Sequence, residues 1–168
     1  PAFAPVAAQD PDMDIAADQV AQQMGIDRAA QDAWARLSHQ KAQAAQKALA
    51  VEIVALGPKN LDHDSYTRRL SPELCARAPI LSGSITHANS AVAADAAAFS
   101  LVVSDRIAAQ IAAPSVAILQ SAALASDPAF PALAPVPAIR EVLQKGGVGA
   151  RDLAQVEMME AYAAQALA

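Results

Sequence analysis

The spacing of apolar residues predicts two helices in the first third of the chain. A short amphipathic run follows Asp14 and ends near Met24, where Gly25 provides a helix stop. A longer amphipathic run follows Asp27 and extends to about Leu49. Because apolar side chains recur on one side of both runs, each helix is expected to pack by one face.

Two further features belong to these helical stretches. Trp34 lies on the apolar side of the longer helix, where it is best interpreted as a core anchor; stacking on a ligand is the alternative. Ser71 followed by Pro72 predicts another helix start, and Cys75 lies within its first turns. Without a histidine base nearby, Cys75 is interpreted as a buried structural cysteine rather than a nucleophile.

The second half of the chain alternates predicted strands with predicted helices. Residues 97–103 are a continuous apolar run that ends in β-branched residues before Ser104, which predicts a strand buried on both faces. Shorter strands are predicted over residues 51–56, 116–119 and 153–158, and helices over residues 105–111, from Pro135 or Pro137 to Gly146, and from about Glu160. The alternation predicts an α/β sheet with crossover connections.

A polar loop precedes the central predicted strand. Residues 82–90 are mostly short hydroxyl and amide side chains with Gly83, a composition typical of tight turns. Loops that enter a sheet covered on both sides are common ligand sites. This loop is therefore the first candidate for function.

The composition of the chain argues against several classes of function. The chain has 168 residues, a net charge of −5 and a pI of about 5.0, with no basic stripe of the kind that binds nucleic acid. No apolar run is long enough to span a bilayer. A single cysteine excludes an internal disulfide and fits the cytoplasm. Residues 62–64, Asp-His-Asp, are interpreted as a solvated loop rather than a metal site, and no metal is expected.

Two stretches resemble signatures of the thiolase family. Residues 82–98, with Ser-Gly-Ser-Ile-Thr-His-Ala-Asn-Ser followed by Asp95 and three alanines, resemble Gly-Thr-Val-Thr-x-x-Asn-(six residues)-Asp-Gly-Ala-Ala. Residues 156–165, Val-Glu-Met-Met-Glu-Ala-Tyr-Ala-Ala-Gln, are similar to the family's Asn-Glu-Ala-Phe-Ala-Ala-Gln loop. The two stretches occur in the same order as in the family, and a similar number of residues separates them. The chain resembles most the β-subunit type of fatty-acid oxidation complexes.

The resemblance implies a layered αβαβα thiolase-like α/β fold, present in part. It implies that residues 1–81 belong to the loop region that covers coenzyme A. Residues 82–112 would then end the N-terminal half of the fold, and residues 113–168 would begin the C-terminal half.

The resemblance also implies an activity. Thiolases join or cleave 3-ketoacyl-CoA and acetyl-CoA thioesters through a nucleophilic cysteine, an activating histidine and a second cysteine. The motifs that carry those three residues are not present in this chain. The family implies a coenzyme A thioester as substrate, no permanently bound cofactor, and a homo-oligomer, with an oxidation-complex α subunit as a further partner. One alternative is a thiolase-like module that binds coenzyme A or a partner without turnover. Another is an α/β fragment with no activity of its own, in which the motif residues only turn the chain.

Candidate site residues follow from the same match. Met159 stands where the family has Asn or His to hold a water of the oxyanion site, and a thioether cannot donate that hydrogen bond. Glu160 is the adjacent catalytic candidate. The candidates for coenzyme A contacts are Leu74, Leu81, Asn89, Ala91, Pro131, Ala161 and Tyr162.

Overall fold

The computed structural model describes residues 6, 10–55, 57 and 62–168, and its first part is helical. Helix α1 covers Met13–Met24 and ends at Gly25, whose positive φ of 67° forms a left-handed cap. Helix α2 covers Arg28–Leu49 and begins where the Asp27 side chain accepts a hydrogen bond from the Ala30 N–H at 2.7 Å. Both predicted helices are confirmed, but the predicted cap at Asp14 is wrong, because α1 begins at Met13 and Asp14 lies inside its first turn. The Gly25 stop and the Asp27 cap are local contacts that the sequence pattern contains.

A short helix and a hairpin follow. Helix α3 covers Pro72–Ala76, capped as predicted by the Ser71 side chain. Strands β1, Ile80–Ser82, and β2, Ile85–Thr86, then pair in an antiparallel hairpin that turns at Gly83, where φ is 49°. It is the one sheet among the described residues, and the sequence had not indicated its strands.

The remaining elements are short. Helix α4 covers Asp105–Ala108, helix α5 covers Pro135–Gly146, and helix α6 covers Ala163–Leu167. Single 3₁₀ turns cover Pro131–Leu133 and Ala150–Asp152. The last helix therefore starts three residues after the predicted position at Glu160. No described helix combines the length and apolarity that a membrane crossing requires.

The core joins the two ends of the described chain. Helix α6 packs against both α1 and α2, and α1 also contacts the hairpin. Ala17 and Ala21 of α1 form one buried cluster with Ile85 and Ala164. A smaller cluster contains Leu70, Cys75 and Ala88.

The predicted central strand is wrong in this structure. Residues 97–103 have no regular secondary structure, and Phe99 is 98% exposed rather than buried. Their backbone forms no hydrogen bond within the part of the chain that the structure describes. A strand is stabilised by pairing with a neighbour, and these residues have none there.

The other predicted strands fail for the same reason. Residues 51–55, 116–119 and 153–158 have no strand structure, and Leu56 lies outside the described residues. Val116 is 95% exposed and Val156 is 68% exposed. The apolar pattern marks segments able to form strands, but partners for them are absent from the described residues.

Candidate functional site

The two signature stretches meet in the structure. The Ala91 N–H donates to the Ala161 carbonyl at 2.8 Å, and the Ala163 N–H donates to the Asn89 carbonyl at 2.9 Å. Ser90 and Tyr162 face each other across this short antiparallel bridge. Segments that lie about seventy positions apart in the chain thus form one local structure.

The Asn89 side chain holds the first of these segments in place. Its Oδ1 accepts from the Thr86 N–H at 2.8 Å, while its Nδ2 donates to Asp32 Oδ1 at 3.0 Å and to the Ser84 carbonyl at 3.2 Å. Asn89 is only 2% exposed. Both amide hydrogens are therefore used within the protein, and Asn89 shapes the turn. Its predicted contact with coenzyme A stays a prediction.

Helix α1 supports the same turn with a buried carboxylate. Asp18, 7% exposed, accepts hydrogen bonds from both the N–H and the hydroxyl of Ser84, each at 2.8 Å. Gln22 donates to its other oxygen at 2.6 Å. Gln31 of α2 donates to the Ser84 hydroxyl at 3.0 Å, so both helices form hydrogen bonds with the hairpin turn.

Glu160 is bound to helix α2 through both carboxylate oxygens. Trp34 Nε1 donates to Oε1 at 3.1 Å, and the Ser38 hydroxyl donates to Oε2 at 2.7 Å. Trp34 is partly buried and is not among the residues of the two buried clusters, so its interpretation as a core anchor stays a prediction. Its ring borders a cleft that Glu160 also lines.

That cleft has a volume of about 260 Å³ and lies between α2 and the bridged segments. Asn89, Ala91 and Glu160 line it among the predicted site residues. His39 and Tyr66 also line it and had no predicted role. The position of His39 beside the apolar stripe of α2 was the available signal for it, and no comparable pattern marks Tyr66, which lies outside α2. Burial, and then the positive charge of Arg68, lower the pKa of His39, which favours the neutral imidazole.

A second cleft, of about 370 Å³, shares Ala88 with the first. Leu74 lines this one and is 43% exposed. Arg68 and Arg77 supply positive charge to its walls, and His87 lies beside them. The two clefts thus share Ala88, and Glu160 lines the first while Arg68 and Arg77 line the second.

The other predicted site residues are spread more widely. Pro131 lines a separate cleft with Met13 and Ala134. Leu81 lies on β1, with 36% of its surface exposed. Met159 is 83% exposed, although it precedes Glu160 directly. The ligand roles of these residues stay predictions.

The Tyr162 hydroxyl is also engaged within the protein. It donates to Asp14 Oδ1 of α1 at 2.8 Å. Burial, and then this hydrogen bond, raise the pKa of Tyr162 far above its usual range, so the phenol stays protonated. Tyr162 therefore fastens the second segment to α1.

Cys75 is buried, as predicted, with 2% of its surface exposed. Burial, and then the negative charge of Asp32, raise the pKa of its thiol. A thiol of this kind is protonated at neutral pH, and the thiolate is the reactive form. The environment of Cys75 is that of a structural cysteine.

Residues 62–65 form the exposed loop that their polarity predicted. His63 pairs with Asp62, its neighbour in sequence, at 2.7 Å, and both are exposed. Asp64 accepts instead from the Tyr66 N–H and the Thr67 hydroxyl. Within the described residues, no three His, Cys, Asp or Glu side chains gather in a way that could hold a metal ion.

Comparison with family models gives two matches that together cover most of the chain. Residues 5–106 match the model described as "Thiolase, N-terminal domain", and residues 112–168 match "Thiolase, C-terminal domain". The first match alone covers more than half of the 168 residues.

Individual proteins agree with these matches. A Bacillus subtilis (strain 168) protein, YhfS, to which acetyl-CoA C-acetyltransferase activity is provisionally assigned, is 38% identical over 96% of this chain and 46% of its own length. The 3-ketoacyl-CoA thiolase of Escherichia coli O1:K1 is 33% identical over 92% of this chain and 44% of its own length. The chain thus spans less than half the length of the curated relatives it matches.

A solved structure shows the same likeness. The dimeric peroxisomal thiolase of Saccharomyces cerevisiae superposes on 94% of this chain and 42% of its own, with a TM-score of 0.72 and 26% identity. This superposition confirms the predicted fold class in its partial form.

Proposed function

Because this chain belongs to the thiolase family, we propose that it forms part of an acyltransferase that acts on acyl-CoA thioesters. The observation that carries the proposal is the bridge between residues 89–91 and 161–163, with Glu160 bound to α2. Both segments carry family signatures, and together they border a cleft. The proposed substrates are 3-ketoacyl-CoA and acetyl-CoA, by covalent cysteine catalysis with a nucleophile outside these 168 residues.

The paired clefts support coenzyme A as the ligand. Coenzyme A carries phosphates at one end and a thiol at the end of a narrow, largely neutral arm. Arg68 and Arg77 suit the phosphates, because guanidinium groups bind phosphate through paired hydrogen bonds. The arm would run past Ala88 and Ala91 towards Glu160. Coenzyme A then serves as a substrate, and no permanently bound cofactor is proposed.

Assembly and location complete the proposal. Dimerisation is reported for the yeast structure, and we extend to this chain the prediction of a homo-oligomer. Large exposed apolar side chains, such as Phe99 and Val116, support extensive packing against other polypeptide. An oxidation-complex α subunit as partner, a role in fatty acid metabolism and a cytoplasmic location are proposed on the family resemblance and on the single cysteine.

A second function, binding without turnover, is favoured by one residue. The Met159 side chain has no hydrogen-bond donor, and by the family resemblance it stands where an oxyanion-site residue would be. Loss of one such donor costs about a hundredfold or more in rate. A thiolase-like module that binds coenzyme A or a partner would tolerate this residue.

Thiolysis of acetoacetyl-CoA by the native polypeptide separates the two functions. An acyltransferase consumes the substrate only when free coenzyme A is present, and thiol alkylation abolishes the reaction. Replacing Met159 by Asn should then raise the rate. Saturable binding of coenzyme A in calorimetry, without turnover, would establish the module instead.

Binding itself can be tested with a matched pair of variants. Leu74→Asp places a carboxylate in the second cleft and should weaken coenzyme A binding by repelling the phosphates. Leu37→Asp is the control, because Leu37 is equally exposed, at 44% against 43%, and lines neither cleft. Equal affinities of the two variants would refute the proposed binding path.

A further inference from the structure

Both carboxylate oxygens of Glu160 are hydrogen-bonded within the protein. Each oxygen accepts one hydrogen bond, from Trp34 Nε1 at 3.1 Å and from the Ser38 hydroxyl at 2.7 Å. The two donors are four positions apart, and thus on one face of α2. Neither donor releases a proton near neutral pH, so these two contacts hold the carboxylate in place and supply no proton to it.

The Glu160 side chain connects residues 154–160 to helix α2. The backbone of residues 154–160 forms no hydrogen bond to any described residue. After Glu160, the backbone is fixed by the bonds at Ala161 and Ala163. The Glu160 side chain therefore sets where the segment enters the cleft wall.

We infer that Glu160 is a positioning residue, whose carboxylate clamps residues 159–161 to helix α2 and so fixes position 159 and the Ala161 carbonyl relative to the cleft. The inference rests on the proposed function for its catalytic consequence. The clamp itself is a structural property that can be measured without substrate.

Three variants test the clamp. Glu160→Ala removes both bonds and should let the segment shift; a displacement of about 1 Å at a reacting centre costs up to about a hundredfold in rate. Glu160→Gln should restore most of the rate, because its oxygen accepts from Trp34 and its amide can donate to the Ser38 oxygen. Ser38→Ala retains the Trp34 bond and should have an intermediate effect.

Kinetics of the native polypeptide distinguish positioning from proton transfer. A positioning role predicts a lower kcat for Glu160→Ala, recovery in Glu160→Gln, and an unchanged pH profile in both. If Glu160→Gln is as inactive as Glu160→Ala, or if the profile loses a limb, Glu160 acts as an acid or base and the inference is overturned. A lowered melting temperature with unchanged kcat would also overturn it, since the role would then be stability alone.

Amide hydrogen exchange provides a readout without activity. The Ala91 and Ala163 amides, which bond across the bridge, should exchange faster in Glu160→Ala. The Ser84 amide, bound to Asp18, is the internal control and should not change. Trp34 is the sole tryptophan of the chain, so its emission should change as well. Unchanged exchange and emission would refute the clamp, whereas accelerated exchange without any wild-type turnover would keep the clamp and refute the proposed enzyme.

Discussion

Replacing Gly83 by alanine tests how tightly helix α1 and the hairpin turn are joined. Gly83 has a φ of 49°, and a β-carbon there would lie 2.0 Å from Asp18 Oδ2. Contacts below 3.0 Å do not occur between real atoms of this kind, so the carboxylate must move. Asp18 is buried and accepts three hydrogen bonds, from Gln22 and from two groups of Ser84.

The cost has two parts. The left-handed backbone costs a non-glycine residue about 1 kcal/mol. Displacing Asp18 weakens hydrogen bonds to a charged group, which contribute about 1.5–3 kcal/mol each and do not add fully. We therefore expect Gly83→Ala to lower the free energy of unfolding by about 3–5 kcal/mol, a large share of the roughly 5–15 kcal/mol typical of a domain.

Urea unfolding measures this loss, and Gly25→Ala is the matched control. Gly25 has a φ of 67° but no atom within 4 Å of a β-carbon, so only the backbone cost of about 1 kcal/mol applies. In an Asp18→Ala background, Gly83→Ala should lower the free energy of unfolding by only about as much as Gly25→Ala does, because the clashing carboxylate is gone. If both glycine variants lose the same free energy in the wild-type background, Asp18 does not lie against the turn and the reasoning fails.

Three further predictions concern the side chains of Asn89, His39 and Cys75. Asn89→Ala should lower the free energy of unfolding by about 2–4 kcal/mol in urea titrations, because it leaves the Thr86 N–H without an acceptor and Asp32 Oδ1 without the donor that Asn89 supplies; a loss below about 1 kcal/mol would contradict the bonding described. The pKa of His39 in the folded chain is below its ordinary value of 6.5, so the unfolded chain binds the proton first as pH falls. The contribution of His39 to the free energy of unfolding is therefore complete above pH 6.5 and is lost on acidification. Urea midpoints should therefore fall on acidification, less steeply in His39→Gln, and equal slopes would refute the assignment. Because its pKa is raised, the Cys75 thiol should react with a disulfide reagent only after unfolding, and Cys75→Ala should leave any turnover unchanged; rapid labelling of the folded chain would reverse the structural interpretation.

The helices were predictable because their signals are local. Asp27 bonds to Ala30, three residues away, and Gly25 closes α1 within one turn. Gly147 ends α5 in the same left-handed conformation, as the glycine pair at its end predicted. Such contacts depend on a few neighbouring residues, and a sequence pattern contains all of them.

The strands were not predictable, because strand formation depends on distant partners. Residues 97–103 have the composition of a buried strand, yet Phe99 is almost fully exposed. The hairpin at residues 80–86 shows the opposite case, since its strands are too short to give a pattern. Pairing, rather than composition, decides both outcomes.

The candidate site likewise has a part that the sequence predicts and a part that it does not. The motifs located Asn89 and Ala161, and the structure brings their segments together. The bonds from Trp34 and Ser38 to Glu160 span 126 and 122 positions and left no pattern in the sequence. Their donors were visible only as polar or amphipathic residues on a helix face.

The residue types of the second motif now have physical reasons. Glu160 binds α2 and Tyr162 binds Asp14 of α1, so alternate side chains fasten the segment to different helices. The small residues between and after them allow the backbones of the two segments to approach closely. Ala161 and Ala163 form backbone hydrogen bonds with residues 89–91. Ala164 is fully buried against alanines of α1. A larger side chain at Ala164 would separate α6 from α1 and open the bridge, since a packed interior does not accept added volume without strain. The alanine-rich composition, which buries little area per residue, is therefore what allows segments so far apart in sequence to meet at one site.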